Sequence, residues 1–432
     1  MSFSNEFGKI HAVRGMNDIL PDQVQQWQLL EQLFRHCLTQ YDYQEIRLPI
    51  IEHTQLFKRT IGEVTDIVTK EMYTFTDLNG DSLTLRPEGT AGCARACIEH
   101  GLLHNQQQKL WYIGPMYRHE RPQKGRYRQF TQLGVEVLGI AGFAIEVEMM
   151  AMCQRLWKKL DLSDSLTLEI NTLGELNERQ LYKEHLVSFL QKNIEFLDSD
   201  ALDKLNRNPL RILDSKNKAI IEILKGAPKL IDFISKNSRQ KFDLFCTGMT
   251  NLGINYVINP HLVRGLDYYG HTVFEWVTNK LGSQNTICAG GRYDWLINQL
   301  GGKLTPSVGL AIGVERLLLL LETTNKHLSA AKQPSVFIIP GLEAAFQKCL
   351  YLAEMLRDNL PDWKIITNTV GSGFKSQFKK ANKSGAELAL IIGENELRNN
   401  QVCIKKLLEF DDQVTILETE ILDYLQKNII IN

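Results

Sequence analysis

The sequence predicts an α+β domain built on an antiparallel sheet flanked by helices, with a helical insertion, followed by a smaller α/β domain. Three observations carry this. Between Glu45 and Gly139 the strand-like segments come in neighbouring pairs joined by turn residues, which is how antiparallel strands connect. From about residue 170 to 258 the pattern turns to amphipathic helices without hairpins. Beyond Pro334, β-branched strands alternate with helix-like segments, the arrangement of a largely parallel sheet. At 432 residues the chain is long enough for two or three separate cores. The expected boundaries are 1–325 for the first domain, 326–333 for a linker and 334–432 for the second.

Taken in order, Pro21 and Asp22 open a helix in which Leu29, Leu30, Leu33, Phe34 and Leu38 recur at helical spacing. The segment "EIRLPIIEHTQLF" is β-rich but holds Pro49, which cannot donate to a ladder and so belongs at a strand edge or an interface. Two alternating strands flank Asn79-Gly80, a hairpin signal, and the turn from Pro87 to Gly89 opens a helix, leaving Arg86 and Glu88 where a strand ends. "QKLWYIGPMYRHE" and "YRQFTQLGVEVLG" form a further antiparallel pair, with a helix from about Ile145. After the insertion, "INYVINPHLVRGLDYYGHTVFEWV" and "NTICAGGRYDWLINQLGG" resume the strands, and "SVGLAIGVERLLLLLE" runs from a strand into an apolar helix. The polar "TTNKHLSAAKQPS" suits a linker, and "PSVFIIP", "KIITNTV" and "ELALIIG" are the strands of the second domain.

Composition narrows the function classes. With 44% hydrophobic residues, 23% charged residues and a net charge of -1, the chain has ordinary globular composition, and any nucleic-acid surface must be local. No apolar run approaches the roughly 20 residues a bilayer requires, and "MSFSNEFGKI" lacks a signal pattern, so a cytoplasmic protein is expected. Eight cysteines are scattered. Cys93 and Cys97 would share a helix face, but no second pair completes a zinc site, and the histidines are dispersed. No structural metal is expected.

The chemistry centres on "YRHERPQKGRYRQFTQLGVEVLG", Tyr117 to Gly139, where a loop with Arg118, Arg121, Lys124, Arg126 and Arg128 feeds a strand carrying Glu136. Alone, such a loop is a solvated tip, and Glu136 in an alternating strand would face solvent. Arg264 in "VRGLDYYGHTVFEW" and Arg316 in "GLAIGVER" offer two more arginines on strand ends or turns. Together with Arg118 they could converge on a polyanion, each guanidinium gripping phosphate or carboxylate oxygens in pairs. Gly290, Gly291, Gly309 and Gly313 allow a flat ligand or a backbone to come close. Each of these residues also has a plain structural use: ion pair, helix packing, or core aromatic for Tyr268 and Tyr269. His271 lies in an apolar strand, where packing or a local hydrogen bond accounts for it.

The order and wording of these segments resemble the histidyl-tRNA synthetase family of bacterial type, within the class II aminoacyl-tRNA synthetases. "RGMNDILP", the Pro49 segment (motif 1), the Tyr117 to Gly139 segment (motif 2) and "GLAIGVERLLLLLE" (motif 3) match the class, while "LRPEGT", "FTQLGVE" and "RGLDYY" match histidine specificity. The resemblance implies ATP-dependent attachment of L-histidine to tRNA(His) through a histidyl-adenylate, with ATP as substrate and Mg²⁺ bridging its outer phosphates. It assigns Arg118 and Arg264 the α-phosphate, making them the catalytic pair, and Arg316 the γ-phosphate end. Glu120 and Arg121 would approach ATP, and Phe130 would stack on adenine. Glu88, Gly89, Thr90 and Gln132 would hold the α-ammonium side of histidine, Arg118 its carboxylate, and Glu136 and Tyr269 the two imidazole nitrogens, with Tyr268 lining the pocket.

For tRNA, the resemblance points to Gln123 and Arg128 at the loop tip. It also reads the second domain as an anticodon-binding module, with Lys375, Lys379 and Lys383 on one helical face. Motif 1 implies a homodimer. The nearest alternative is a histidine-sensing relative without the reaction, such as the regulatory subunit of ATP phosphoribosyltransferase. Against it, this chain keeps Arg264, Arg316 and a full C-terminal module.

Overall fold

Residues 9–63, 65–282, 285–329, 333–369, 373–407 and 413–428 are described by the computed structural model. They fall into two units, Met1–Leu328 and Ser329–Asn432. In the first, α1 (Pro21–Gln40) begins with proline at its first turn, where a missing N–H costs nothing, and buries Leu30, Phe34, Cys37 and Leu38. Pro49 falls between β1 (Gln44–Glu45) and β2 (Ile51–His53), outside both strands. Next come α2 (Thr54–Ile61), β3 (Tyr73–Thr76) and β4 (Ser82–Leu85). β3 and β4 are the expected hairpin, with Gly80 at φ 91° and the Asp77 carboxylate accepting from the Asn79 and Asp81 amides at 2.9 and 2.8 Å. With β2 they make a separate three-stranded sheet in the order β2-β4-β3.

The remaining elements of this unit are α3 (Thr90–Glu99), β5 (Gln108–Tyr117), β6 (Gln129–Leu138), α4 (Ala144–Lys159) and β7 (Thr167–Thr172). The helical segment α5 (Leu176–Lys192), α6 (Ser199–Arg207), α7 (Lys218–Leu224) and α8 (Lys236–Asn251) follows. β8 (Val257–Ile258), β9 (Gly270–Val277), β10 (Thr286–Arg292), α9 (Leu296–Gln299), β11 (Ser307–Gly313) and α10 (Val314–Thr323) complete it. β7 runs to Thr172 and β8 starts at Val257, so the stretch without strands is narrower than the expected 170–258. The main sheet has eight strands in the order β1-β5-β6-β11-β10-β9-β7-β8. Its middle pairings are antiparallel and its two edge pairings, β1 with β5 and β7 with β8, are parallel.

The two faces of this sheet do different work because side chains alternate along a strand. Leu133, Val135 and Val137 of β6 join a core with Phe34 of α1, Met149 and Trp157 of α4, Phe245 of α8 and Leu317 of α10. The other face gathers Cys93 and Cys97 of α3, Tyr112 of β5 and a group of tyrosines, covered partly by Tyr182 and Leu186 of α5. Glu136 and the tyrosines of the candidate site lie on this second side.

In the second unit β12 (Ser335–Pro340), α11 (Phe346–Asn359), β13 (Lys364–Thr367), α12 (Phe374–Ser384) and β14 (Leu388–Ile392) alternate as expected. β12 pairs in parallel with both β13 and β14. The sheet is nevertheless mixed, which corrects the expectation of a largely parallel one. After α13 (Glu394–Asn399), β15 (Gln401–Lys406) and β16 (Val414–Leu417) add antiparallel strands on the β14 side, and α14 (Ile421–Asn428) follows. β15 carries lysines at its end and buries only Val402, Cys403 and Ile404, so its apolar signal is short.

Arg292, at the end of β10, ties the sheet to α4. Its Nε donates to Glu146 at 3.2 Å, Nη1 to Asp294 at 3.1 Å and Nη2 to the Gly142 carbonyl at 3.0 Å, with the Arg292 and Glu146 side chains only 7% and 4% exposed. Arg292→Leu strands the Glu146 carboxylate in the core and should lower the unfolding free energy measured by urea titration by about 3–5 kcal/mol. A loss below about 1 kcal/mol would show the pair to be dispensable.

Candidate active site

The deepest residue is Glu136, 1% exposed. Its face of β6 is the one away from the aliphatic core, yet it meets protein and not solvent. Thr90 Oγ1 donates to its Oε1 at 2.7 Å, Tyr112 OH donates to the same oxygen at 2.9 Å, and Tyr293 OH donates to Oε2. The reading of a solvent-facing strand residue is therefore wrong for this strand, because α3 and the residues after β10 cover it. Two glycines make the space: a Cβ on Gly309, opposite Glu136 across β6 and β11, would overlap the carboxylate, and one on Gly134 would overlap the Tyr112 ring. Burial pushes Glu136 up to about 8 in spite of its three hydroxyl donors.

Above this floor the rings of Tyr268, Tyr269 and Tyr293 pack together, with centroids 4.6 to 6.2 Å apart. Glu88 lies at the start of α3, where its two oxygens accept the Thr90 and Ala91 amides at 2.6 and 2.9 Å, satisfying donors that a helix start leaves free. Gly89 brings its bare Cα against the Tyr112 ring.

Three arginines face the same cleft. Arg118 Nε donates to the Pro87 carbonyl at 2.9 Å, and its guanidinium stands 5.3 Å from the centre of the Phe130 ring. Arg264 pairs with Glu275, which also accepts from Thr286 Oγ1 at 2.9 Å, and it lies 5.6 Å over Tyr269. Its Nε is buried and has no hydrogen-bond partner among the described residues. Arg316 is held by the Gly125 and Thr286 carbonyls at 3.1 and 3.0 Å. Burial first, then the like charges of Arg118 and Arg126, push its guanidinium down to about 10. That crowding of cations marks a place prepared for anionic charge.

The cleft encloses about 300 Å³. It brings together Glu88, Thr90, Arg118, Glu120, Phe130, Gln132, Arg264, Tyr268, Tyr269 and Arg316. Glu136 does not line it and is joined to it through Thr90. Other expected residues stand elsewhere. Arg121 and Gln123 are exposed on the loop, and Arg128 turns inward, its Nε donating to the Glu120 carbonyl at 3.2 Å. Lys375, Lys379 and Lys383 are exposed on α12 of the second unit. His271 has φ 47° and a buried Nδ1 without a partner among the described residues.

Sequence reasoning assigned no role to Arg126, which pairs with Glu120, or to Glu275. It also passed over Tyr112, Tyr293 and Glu315, whose carboxylate accepts the Thr131 amide at 2.7 Å and is raised to about 7 by burial. Only Glu275 had a local signal, an acid in an apolar strand shortly after Arg264. Among the described residues no cluster of three His, Cys, Asp or Glu could hold a metal ion.

The histidyl-tRNA synthetase family model matches residues 15–317, which include every residue lining this cleft. The chain belongs to the histidyl-tRNA synthetase family. A second match, to the anticodon binding domain, covers residues 335–428. Curated histidine–tRNA ligases of Legionella pneumophila, from strains Lens and Paris, are each 60% identical over 97% of this chain and 98% of their own length. Among solved structures, the apo histidyl-tRNA synthetase of S. aureus matches with a TM-score of 0.81 and 34% identity over 97% of this chain and all of its own. A Bacillus halodurans protein described as an ATP phosphoribosyltransferase regulatory subunit/histidyl-tRNA synthetase has a TM-score of 0.63 and 21% identity, covering 87% of this chain and 97% of its own, and shares the fold. The synthetase family thus accounts for both units.

The buried acid has a stability signature. Because Glu136 titrates near 8 in the folded chain and near 4.5 when unfolded, the folded state holds a proton that the unfolded state has lost. Stability from this group therefore falls as pH rises from about 4.5 to about 8. Glu136→Gln, neutral throughout, should gain melting temperature relative to the parent as pH goes from 5 to 8.5. A difference that stays constant with pH would show that Glu136 is not protonated in the fold.

Proposed function

We infer that this protein joins L-histidine to tRNA(His) in two steps. The carboxylate of histidine attacks the α-phosphate of ATP, forming histidyl-adenylate and releasing diphosphate. A hydroxyl of the terminal tRNA adenosine then attacks the acyl carbon, and AMP leaves. The observation that carries this reading is the convergence of Arg118, Arg264 and Arg316 on one cleft whose lining residue Thr90 donates to the buried Glu136. Such chemistry needs positioning and charge neutralisation more than a covalent nucleophile.

In this reading Arg118 grips the histidine carboxylate and the α-phosphate, so the two reacting groups share one guanidinium. Arg264 faces the α-phosphate from the other side and meets charge that grows there during attack. Glu275 holds its guanidinium in place beforehand, which removes reorganisation from the barrier. Arg316 takes the γ-phosphate end. Adenine stacks on the face of Phe130 opposite Arg118, and Glu120 and Arg121 approach the nucleotide. Glu88 and Thr90, with Gly89 between them, and Gln132 receive the α-ammonium group. Each Glu88 oxygen accepts one amide and has a second lone pair for it.

Glu136 accepts a ring proton from the imidazole, Tyr269 serves the other nitrogen and Tyr268 walls the pocket. Buried polar partners of this kind reject analogues that leave them unpaired, by up to about ten-thousandfold. No three carboxylates of the described residues are placed to hold Mg²⁺, and Glu120 and Glu275 at the cleft already pair with arginines. ATP's own phosphates would therefore hold the ion, and it would supply further charge neutralisation.

For tRNA, Gln123 on the exposed loop meets the acceptor end together with the half-buried Arg128, whose Nε is held by the Glu120 carbonyl and whose other guanidinium nitrogens would make the contact. Lys375, Lys379 and Lys383 offer charge to anticodon-arm phosphates. A homodimer is supported by apolar exposure beside Pro49: Ile51 is 45% and Phe75 42% exposed on the three-stranded sheet. Among the described residues no helix is long and apolar enough to cross a membrane, and the proposed place of action is the cytoplasm. The first domain would take 1–325, the linker 326–333 and the anticodon module 334–432.

Histidine-dependent exchange of labelled diphosphate into ATP, without tRNA, tests the reading. Histidine binding with no exchange would indicate a sensor in place of a ligase. Arg264→Ala should lower exchange by on the order of a hundredfold or more while changing histidine affinity far less. Equal losses would make Arg264 a binding residue only.

A further inference from the structure

The groups around Glu136 are hydroxyls, thiols and one further carboxyl. From β5 comes Tyr112, from α3 and the turn before it Thr90, Cys93, Cys97 and Glu88, from the loop before β9 Tyr268 and Tyr269, and from the end of β10 Tyr293; Tyr43 acts from farther off. None of these is a cation. A carboxylate so deeply buried would ordinarily carry an arginine or lysine partner, and here it has three hydroxyls. Two of them, on Tyr112 and Thr90, meet Oε1, and Tyr293 alone meets Oε2.

Hydroxyls differ from a guanidinium in that they both donate and accept. When Glu136 is ionised, all three point their protons at it. When it is protonated, it donates to one of them and that hydroxyl turns away. The arrangement therefore tolerates both states, and the balance between them depends on the number of donors present.

We propose that Tyr293 and Tyr112 are positioning residues that set the protonation of Glu136, so that the pocket binds histidine with one proton shared between carboxylate and imidazole in addition to the ring's own N–H. This rests on the reading of Glu136 as the imidazole partner. Between about pH 6.5, where free imidazole titrates, and about 8, where Glu136 does, a protonated carboxyl meets a neutral ring. Binding then exchanges no proton with solvent. The shared proton can pass from Oε to the open ring nitrogen, leaving an imidazolium against a carboxylate that all three hydroxyls still stabilise. Below that window one proton must be released on binding, and above it one must be taken up. Histidine affinity should therefore peak between the two limits.

The phenol oxygens act on the upper limit. Removing a donor weakens the ionised carboxylate, so Tyr293→Phe and Tyr112→Phe should each move the alkaline limb upward by about one pH unit or more, given the strength of a hydrogen bond to a charged acceptor. Titration calorimetry with L-histidine alone, from pH 5.5 to 9, measures this for the parent, the two phenylalanine variants and Glu136→Gln. The α-amino group of the ligand titrates alike in all four, so differences between them report the pocket.

Either phenylalanine variant displacing the limb, with the limb absent in Glu136→Gln, supports the proposal. A uniform loss of affinity at every pH in both phenylalanine variants overturns it and leaves packing as their role. A parent profile with no alkaline limb near 8 overturns it as well. If Glu136→Gln binds histidine as the parent does, the imidazole reading itself fails, a result separate from either of the others.

Discussion

The alternation of side chains along β6 is the constraint on which this molecule depends. In one strand of ten residues, Leu133, Val135 and Val137 enter the aliphatic core while Gln132 and Glu136 enter the cleft side. A slip of one residue in register would exchange these sets, burying Glu136 among Phe34, Trp157 and Leu317. Antiparallel pairing with β5 on one side and β11 on the other holds the register, Glu136 lying opposite Leu110 and Gly309. Stability and specificity are thus written on the two faces of the same strand.

Charge is arranged by the same economy of support. Each arginine of the cleft is fixed by protein oxygens: Arg118 by Pro87, Arg264 by Glu275, and Arg316 by Gly125 and Thr286. Their guanidiniums are aimed before any nucleotide arrives, and the field they build persists because burial limits screening by solvent. The floor beneath follows another rule. There a buried acid takes its hydrogen bonds from three hydroxyls, which adapt to a proton where a fixed cation would not. In the proposed function, phosphate positioning and imidazole recognition therefore use opposite electrostatic designs.

Legibility followed the range of the interactions. Arg118, Glu120, Phe130, Gln132 and Glu136 lie in one hairpin, and once the resemblance was recognised their grouping needed no tertiary information. Glu88 and Thr90 were readable as a helix start, because capping is local. Tyr112 and Tyr293 were not, since one is a core-like aromatic in a strand and the other follows a glycine pair, and neither has a sequence neighbour that marks it. β15 and β16 were missed for a related reason: antiparallel strands with a short apolar run resemble loop sequence until a sheet is present to receive them.

By itself the sequence determined the class of domain, the succession of hairpins, helical segment and α/β second unit in outline, and the residue types that a phosphate and an imidazole require. It did so because propensity, turn chemistry and periodicity act within a few residues. Only the tertiary structure decided that Glu136 is buried instead of solvated, that Arg264 leans on Glu275, and that Arg126 answers Glu120 while Arg128 turns inward. These outcomes depend on which distant segment covers a given face. Burial changes the cost of a charge by more than any local preference, and local sequence does not say what will lie above it.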